Sequence, residues 1–136
     1  MAVLVQKMVE AQIAFIMHTR GVEGEDAVMI EVCEGQGEVL ASANEKGTPY
    51  RLTYDKKTLT CDVTAWGSYS HGLFRGETEL VRKRVNGIDE AVLLELGNAL
   101  GQIGMEIEEA YGSAQDIEGC VEASGQIYIV QTRAQI

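Results

Sequence analysis

Positive charge is scarce in this sequence. Its 136 residues include 11 lysine and arginine residues against 21 aspartate and glutamate residues, so the formal net charge is −10. A field of this sign repels polyanions at long range, which argues against general binding of nucleic acids or of anionic membrane surfaces. It does not exclude a local basic pocket.

Cysteines and long apolar runs are also few. The three cysteines, Cys33, Cys61 and Cys120, are widely spaced and form no Cys-x-x-Cys pair. This spacing argues against a disulfide scaffold or a zinc site and favours reduced thiols in a cytosol-like or stromal compartment. No apolar run reaches the length of a membrane span. No signal or transit segment is evident, so we expect that targeting residues were removed or that the chain is a piece of something longer.

The composition, with 46% hydrophobic and 24% charged residues, is ordinary for a globular protein with one core. We therefore predict a single domain over residues 1–136. Its predicted strands are 1–9, 12–19, 27–33, 50–54, 59–66 and 79–85, with 1–9 and 12–19 paired as a hairpin, 50–54 and 59–66 at sheet edges, and 67–76 irregular. Both faces of the first hairpin are apolar, so another chain or lobe is expected to cover residues 1–9.

One long helix is predicted over residues 86–111. Asn86 resembles an N-cap, and Gly112 is placed as the C-terminal stop. The predicted buried stripe repeats at three- and four-residue steps and consists of Val92, Leu96, Ala99, Ile103 and Ile107. Close packing against the sheet is expected to compensate for three helix glycines, Gly97, Gly101 and Gly104. Strands packed on one helix predict an α+β fold with an antiparallel sheet.

Two alternating runs flank Ser124-Gly125 and predict a closing β-hairpin. If those two residues form the loop, Glu118 lies opposite Gln131 and Asp116 lies opposite Arg133. The predicted faces are Asp116, Glu118 and Cys120 on the first arm and Ile127, Ile129, Gln131 and Arg133 on the second. Directly opposed residues have Cβ atoms about 4.5–5.5 Å apart, so the four polar groups are expected to converge.

Two interpretations fit this polar face. Two carboxylates, an amide oxygen and a guanidinium suit Mg²⁺ plus phosphate, because hard cations take oxygen ligands and arginine binds phosphate oxygens. The alternative is a solvated outer face with one cross-strand salt bridge. The hairpin pattern alone favours this alternative.

Four runs occur in a fixed order along the chain: MAVLVQKMVEAQIAFIMHTR, EGQGEVL, EEAYGSAQDIEGCV and IYIVQTR. Together they resemble the C-terminal half of the ATP-binding domain shared by phosphoenolpyruvate synthase, pyruvate phosphate dikinase and the glucan water dikinases. The runs GTPYRL and QDIEGCV are most similar to phosphoglucan water dikinase, a plastid enzyme that phosphorylates starch. The resemblance covers essentially the whole chain and implies one lobe of an ATP-grasp-type fold.

The resemblance also implies a site for ATP and Mg²⁺. Glu118 and Gln131 match metal and phosphate ligands, and Arg133 matches a catalytic arginine that contacts the phosphates. The remaining implied nucleotide-binding residues are Gln6 and Met8 beside the adenine, Glu38 near the nucleotide or its ribose, and Asp116 in a supporting role.

The implied reaction is phosphoryl transfer in two steps. A histidine on a separate domain takes the β-phosphate of ATP, water takes the γ-phosphate, and the phosphohistidine then phosphorylates a glucan. The second lobe and the histidine domain have no counterpart in this sequence, and His18 and His71 are interpreted as structural or solvent-facing. The glucan would therefore be reached only through other domains, and the expected location is the chloroplast stroma or, failing that, the cytoplasm. The alternative is a truncated, inactive relative that serves as a structural or interaction subunit.

We predict that the purified 136-residue chain does not phosphorylate glucan from ATP, because neither of its histidines matches the phosphate-carrying histidine. A radiolabelled-phosphate transfer assay with soluble glucan checks this. Labelled glucan above the enzyme-free background would contradict the prediction.

Overall fold

A computed structural model describes residues 2–42 and 44–136. Its elements in chain order are β1 (Ile13–His18), β2 (Ala27–Glu34), α1 (Glu38–Ala41), β3 (Tyr50–Asp55), β4 (Thr60–Ala65), β5 (His71–Arg75), β6 (Leu80–Arg84), α2 (Glu90–Tyr111), β7 (Gln115–Val121) and β8 (Ile127–Ala134). Met1, counted in a predicted strand, and Ala43, counted in a predicted loop, lie outside the described residues. No helix among the described residues is long and apolar enough to cross a membrane.

Six strands form one antiparallel sheet in the order β4-β3-β2-β1-β7-β8, and β5 and β6 form a separate two-stranded sheet. Strands β1 to β4 pair in chain order as a meander, in which residues 35–49, including α1, connect β2 to β3. Strand β7 returns from the end of α2 to pair with the other side of β1. The long helix α2 packs on one face of the large sheet. The predicted α+β class, with an antiparallel sheet, one long helix and a closing hairpin, is confirmed.

Alternation along the central strands separates the sheet into two faces. Phe15, Met17 and Ile117 point to α2, where they pack in the main core with Leu93 and Leu100; we call this the helix face. The opposite surface, which carries Ala14, Ile16, His18 and their cross-strand neighbours, is called the open face. Burying the large side chains on the helix face supplies most of the apolar driving force for the fold.

The glycines of α2 allow the helix to lie directly against the sheet. A Cβ atom on Gly97 would collide with Cys61, and one on Gly101 would fall against the ring of Tyr54. The predicted close packing of these glycines is therefore confirmed.

The predicted apolar stripe was partly wrong for the same reason. Of the predicted stripe, Leu96 is buried and Ile103 and Ile107 pack against the core, whereas Val92 and Ala99 are exposed. The fully buried residues of α2 are Leu93, Leu96, Gly97, Leu100, Gly101 and Gly104. Bare glycine backbone forms part of the contact surface, so the buried face is rotated by about one residue from the face that the large apolar side chains mark.

The helix begins later than predicted. Its N-cap is Asp89 rather than Asn86. Gly87 has φ of +90°, a left-handed conformation that a helix cannot continue through. The amide of Gly87 donates to a carboxylate oxygen of Glu34 at 2.9 Å, and the amide of Ile88 donates to the hydroxyl of Tyr50 at 2.9 Å, so the sheet holds this segment outside the helix. At the other end Gly112, with φ of +71°, ends the helix as predicted.

The predicted strand 1–9 was wrong. Residues 2–9 form no strand, and Val3, Leu4 and Val5 are each at least 79% exposed. The physical reason is that β1 already pairs with β2 on one side and β7 on the other, which leaves no edge for a hairpin partner.

Two smaller corrections concern the middle of the chain. Residues 71–75, predicted to be irregular, form β5 and pair with β6. The strand predicted at residues 50–54 is interior rather than at an edge, because β3 lies between β2 and β4; β4 is at the edge as predicted.

We expect Gly101→Ala to destabilise the protein by about 1–3 kcal/mol, because the new methyl group must displace the ring of Tyr54 from a packed core. Gly104→Ala is the matched control. Its new Cβ atom would lie 3.3 Å from Val28, and alanine has a higher helix propensity than glycine. Urea unfolding measures both. Equal stabilities for the two variants would contradict the packing described above.

Candidate functional site

The closing hairpin has a longer turn than its sequence predicted. The loop contains Ala123, Ser124 and Gly125, because Glu122 is bonded to Gln126 by a 3.1 Å backbone hydrogen bond and Gly125 donates to the carbonyl of Glu122 at 2.9 Å. Gly125 has φ of +90°, as three-residue hairpin loops require at this position. The predicted two-residue loop was therefore wrong.

A β-bulge restores the predicted register further along. Near the tip the pairs are Val121 with Ile127 and Gly119 with Ile129, one residue out of the predicted register. The pairing then shifts between Glu118 and Gly119, which leaves Val130 as the extra residue on β8.

Beyond the bulge, Glu118 pairs with Gln131 and Asp116 pairs with Arg133, as predicted. The bulge also moves Ile127 and Ile129 to the helix face, so their predicted shared face with Gln131 and Arg133 was wrong. The longer turn shifts the pairing register by one residue, and the bulge shifts it back. The polar residues beyond the bulge therefore have the predicted partners, whereas the apolar residues before it do not.

The polar side chains beyond the bulge converge on a cavity of the open face. Its volume is about 220 Å³, and its lining residues are Ile16, His18, Asp116, Glu118, Gln131 and Arg133. We call it the open-face cavity. Three adjacent strands, β1, β7 and β8, each contribute two of these residues, so backbone pairing fixes their spacing.

Asp116 makes the most contacts with other protein side chains in this cavity. One carboxylate oxygen, Oδ1, lies 2.5 Å from Nδ1 of His18, and the other, Oδ2, lies 3.6 Å from Nε of Arg133. The Asp116 side chain is 21% exposed, whereas that of Arg133 is 72% exposed. Asp116 is therefore committed to protein contacts, while the terminal Nη groups of Arg133 remain available to a ligand.

Glu118 and Gln131 differ from Asp116 in this respect. Within residues 2–42 and 44–136, neither side chain makes a hydrogen bond or an ion pair with the protein. In the same ranges, no three histidine, cysteine, aspartate or glutamate side chains converge as a metal-binding group. One carboxylate and one amide oxygen are a small ligand set, which suits Mg²⁺ that takes its other oxygens from phosphates and water.

The other predicted site residues lie elsewhere. Gln6 donates through Nε2 to the carbonyl of Val130 at 3.2 Å, so it reaches the bulge beside Gln131. The carbonyl of Met8 accepts from Arg75 at 3.3 Å, and Met8 lines a second cavity of about 340 Å³ near the hairpin tip. Glu38 is the first residue of the short helix α1 and is exposed.

His18 is a cavity residue that sequence reasoning did not assign to the site. It lines the open-face cavity and contacts Asp116, and its half-exposed side chain agrees with its interpretation as structural or solvent-facing. Its position at the end of β1 was visible in the sequence. The pairing of β1 with β7 across about 100 residues was not, and that pairing creates the contact.

A larger cavity, of about 560 Å³, lies beside the C-terminal turns of α2. Its lining includes Glu106, Glu108 and Glu109, and Nζ of Lys56 is already held by both oxygens of Glu108 at 3.0 and 3.1 Å. Arg20 also lines this cavity, so its formal charge equals that of the open-face cavity and does not separate the two. The open-face cavity is the candidate because it holds Glu118, Gln131 and Arg133, the ligands that the family resemblance implies.

The chain matches a protein-family model over residues 1–136, and the description of that model is "Pyruvate phosphate dikinase, AMP/ATP-binding domain". It is also similar to several characterised or named proteins. It is 33% identical to the chloroplastic alpha-glucan water dikinase of Citrus reticulata, with 100% of this chain and 12% of that protein covered.

Two further relatives come from microorganisms. The chain is 36% identical to a probable phosphoenolpyruvate synthase of Archaeoglobus fulgidus, with 97% of this chain and 18% of that protein covered. It is 28% identical to a rifampicin phosphotransferase of Bacillus cereus, with 96% and 15% covered. The chain thus spans less than a fifth of the length of each of these relatives.

The cysteines take no part in this site as nucleophiles. Burial raises the pKa of the Cys33 thiol from 9.0 to about 12 and that of the Cys61 thiol to about 11. The pKa of Cys120, which follows Glu118 on the same face of β7, is also raised by burial. All three thiols are therefore protonated near neutral pH, and a protonated thiol is a poor nucleophile and a poor metal ligand.

We expect Cys33 to react with iodoacetamide near pH 8 about a thousandfold more slowly in the native protein than in the unfolded chain, because so small a fraction of it is thiolate. Mass spectrometry of peptides after timed labelling measures the rate. Labelling of Cys33 at the unfolded rate, with the fold intact by circular dichroism, would contradict its burial.

Proposed function

Because this chain belongs to the family of pyruvate phosphate dikinase AMP/ATP-binding domains, we propose that its open-face cavity binds the phosphates and the magnesium ion of Mg-ATP in a glucan water dikinase-type phosphotransferase. One observation carries the proposal. Glu118, Gln131 and Arg133 line one cavity, and each presents ligand-binding atoms that no other described residue binds. Residues 1–136 would form one part of a longer ATP-binding domain.

The charge of the cavity explains why a metal ion is needed. Asp116 and Glu118 carry two negative charges and Arg133 carries one positive charge, in a chain whose net charge is −10. Free ATP would meet net repulsion there. Mg²⁺ held by Glu118 and Gln131 reverses the sign locally, and it would supply charge neutralisation on the phosphates during transfer.

Arg133 is the proposed phosphate-binding and catalytic side chain. Its Nε faces Asp116, which leaves both Nη groups to donate to phosphate oxygens. An arginine placed in this way stabilises the negative charge that spreads over the transferred phosphoryl group. Asp116 holds the guanidinium in position and does not itself bind the nucleotide phosphates.

The nucleoside end of ATP is assigned to residues around the bulge. Gln6 ties the segment 2–9 to the carbonyl of Val130, next to Gln131. This segment forms no strand, and the carbonyls of Met8 and Val9 already accept hydrogen bonds from Arg75 and Gln36. Backbone groups nearer Gln6 are therefore proposed to bond an adenine edge, with Met8 as an apolar wall. Glu38 is proposed to face the ribose.

The proposed reaction follows the names of the relatives and the family mechanism. A histidine on another domain accepts the β-phosphate, water accepts the γ-phosphate, and the phosphohistidine then phosphorylates a starch glucan. Neither His18, which is bonded to Asp116, nor His71, which is bonded to Ser70, is the proposed phosphate carrier. The chloroplastic relatives support a plastid location.

A non-catalytic interaction module is the competing function. The observation that favours it is that Val3, Leu4 and Val5 are exposed. Together they form an apolar surface, and contact between such a surface and water is unfavourable. Under the dikinase proposal another part of the same protein covers this segment. Under the competing proposal a separate protein covers it and the open-face cavity binds no nucleotide.

We expect Glu118→Ala to weaken Mg-ATP binding by about tenfold to a hundredfold, because it removes the one charged ligand proposed for the metal. Isothermal titration calorimetry measures the dissociation constants of the wild type and the variant. Glu95→Gln, which removes the same charge from the exposed surface of α2, is the control and should bind as the wild type does.

The same titration without magnesium separates metal binding from direct phosphate binding. In the presence of a chelator, Glu118→Ala should bind ATP at least as well as the wild type, since the lost carboxylate then only repelled the ligand. Loss of affinity in the variant under both conditions would count against Glu118 as a metal ligand. No binding by the wild type under either condition would favour the interaction module.

A further inference from the structure

We propose that His18 is a positioning residue for nucleotide binding, which acts through Asp116 to set the direction in which Arg133 offers its guanidinium. The inference rests on the proposed function, because it concerns the same cavity. It goes beyond it by adding a residue on a third strand and by giving that residue a role distinct from ligand contact.

The three residues form a row that the backbone defines. His18 pairs with Asp116 across β1 and β7, and Asp116 pairs with Arg133 across β7 and β8. Side chains of directly opposed residues emerge on the same face at the closest spacing that a sheet offers. The contacts within the row therefore follow from strand register rather than from an unusual reach of long side chains.

Asp116 divides its two oxygens between its neighbours. Oδ1 lies 2.5 Å from Nδ1 of His18, and Oδ2 lies 3.6 Å from Nε of Arg133. The first contact is short and the second is at the outer limit of an ion pair. His18 therefore determines the rotation of the carboxylate, and Arg133 adjusts to the oxygen that is left.

The hydrogen-bond partner also determines which ring nitrogen of His18 carries a proton. An ionised carboxylate only accepts, so Nδ1 of His18 must carry the proton that it donates to Asp116. This orientation leaves Nε2 on the other side of the ring. His18 is 41% exposed, so it can hold Asp116 without being enclosed by the core.

The loss of His18 would free the carboxylate. The terminal torsion of aspartate is broad, so an unheld Asp116 can rotate and accept Arg133 through both oxygens. A guanidinium bound in that way commits an Nη group to the carboxylate. Fewer donors would then point at the phosphates, although every residue that touches the nucleotide is still present.

The backbone under the row is held independently of His18. Thr19, which directly follows β1, and Gln115, the first residue of β7, are 0% and 2% exposed. The amide of Gln115 donates to Oγ1 of Thr19 at 2.7 Å, and Oγ1 of Thr132 donates to Oε1 of Gln115 at 2.9 Å. These bonds, of which the first is buried, tie the ends of β1, β7 and β8 together, so a change at His18 should alter side-chain orientation without opening the sheet.

The test compares His18→Ala, His18→Asn and His71→Ala by NMR titration with Mg-ATP and with adenosine. Asparagine can present an amide N–H where Nδ1 of histidine donates, so His18→Asn tests rescue of the hydrogen bond. His71 is the matched control, because it lies in the separate β5–β6 sheet and bonds Ser70. Thermal unfolding of each variant confirms that the fold is retained.

We expect His18→Ala to weaken Mg-ATP binding by about fivefold to tenfold, with adenosine binding unchanged and the fold retained. His18→Asn should recover most of the lost affinity, and His71→Ala should match the wild type. In an Arg133→Ala background, His18→Ala should have no further effect, because the group that it positions is gone.

Three results would overturn the inference. They are wild-type affinity in His18→Ala, an equal loss for Mg-ATP and adenosine, and an undiminished effect of His18→Ala in the Arg133→Ala background. If Arg133→Ala weakens Mg-ATP binding while His18→Ala does not, only the role of His18 fails. If the wild type binds no Mg-ATP, the proposed function fails and the role of His18 fails with it.

Discussion

The pairing of β1 with β7 is the constraint on which the rest of this structure depends. It joins the strand at residues 13–18 to a strand that begins about 100 residues later, and it places β1 in the interior of the six-stranded sheet. The same pairing brings His18 and Asp116 together, leaves residues 2–9 without a strand partner, and carries the hairpin that holds Glu118. Helix α2 makes the pairing possible, because its glycine-lined surface crosses the helix face and delivers the chain from β6 back to β7.

Charge has a comparable influence on function. The chain is strongly acidic, and the open-face cavity is itself negative by one formal charge without a metal ion. Under the proposed function, phosphate binding in such a place requires a metal ion bound with the nucleotide. The division of labour inside the cavity agrees with this requirement, since Asp116 is occupied by protein partners while Glu118 and Gln131 keep free oxygens.

Much of the fold could be predicted from local pattern. Alternation gave β2, β3 and β4 nearly residue by residue, and Gly112 marked the end of α2 correctly. The prediction of a strand at residues 1–9 was wrong. An apolar run indicates that a segment is buried against something, but it does not identify the strand with which the segment pairs. The start of α2 failed because the contacts that hold Gly87 and Ile88 come from Glu34 and Tyr50, which are distant in the sequence.

The polar pairs of the hairpin were predicted correctly, but partly by compensation. The assumed turn was one residue too short, and the bulge at Val130 removed the error for Glu118 with Gln131 and for Asp116 with Arg133. No local sequence pattern predicted the bulge. The same is true of His18, whose role depends on which strand lies beside β1. Long-range pairing is thus the part of the site that sequence pattern could not supply.

The most direct test of the account is to map amide chemical-shift changes on addition of Mg-ATP to the ¹⁵N-labelled chain. The account predicts that the largest changes cluster at His18, at residues 116–118 and at residues 130–133, with little change around Lys56 and Glu108 beside the larger cavity. Changes concentrated at that larger cavity, or none above those caused by magnesium alone, would contradict the assignment of the open-face cavity as the Mg-ATP phosphate site.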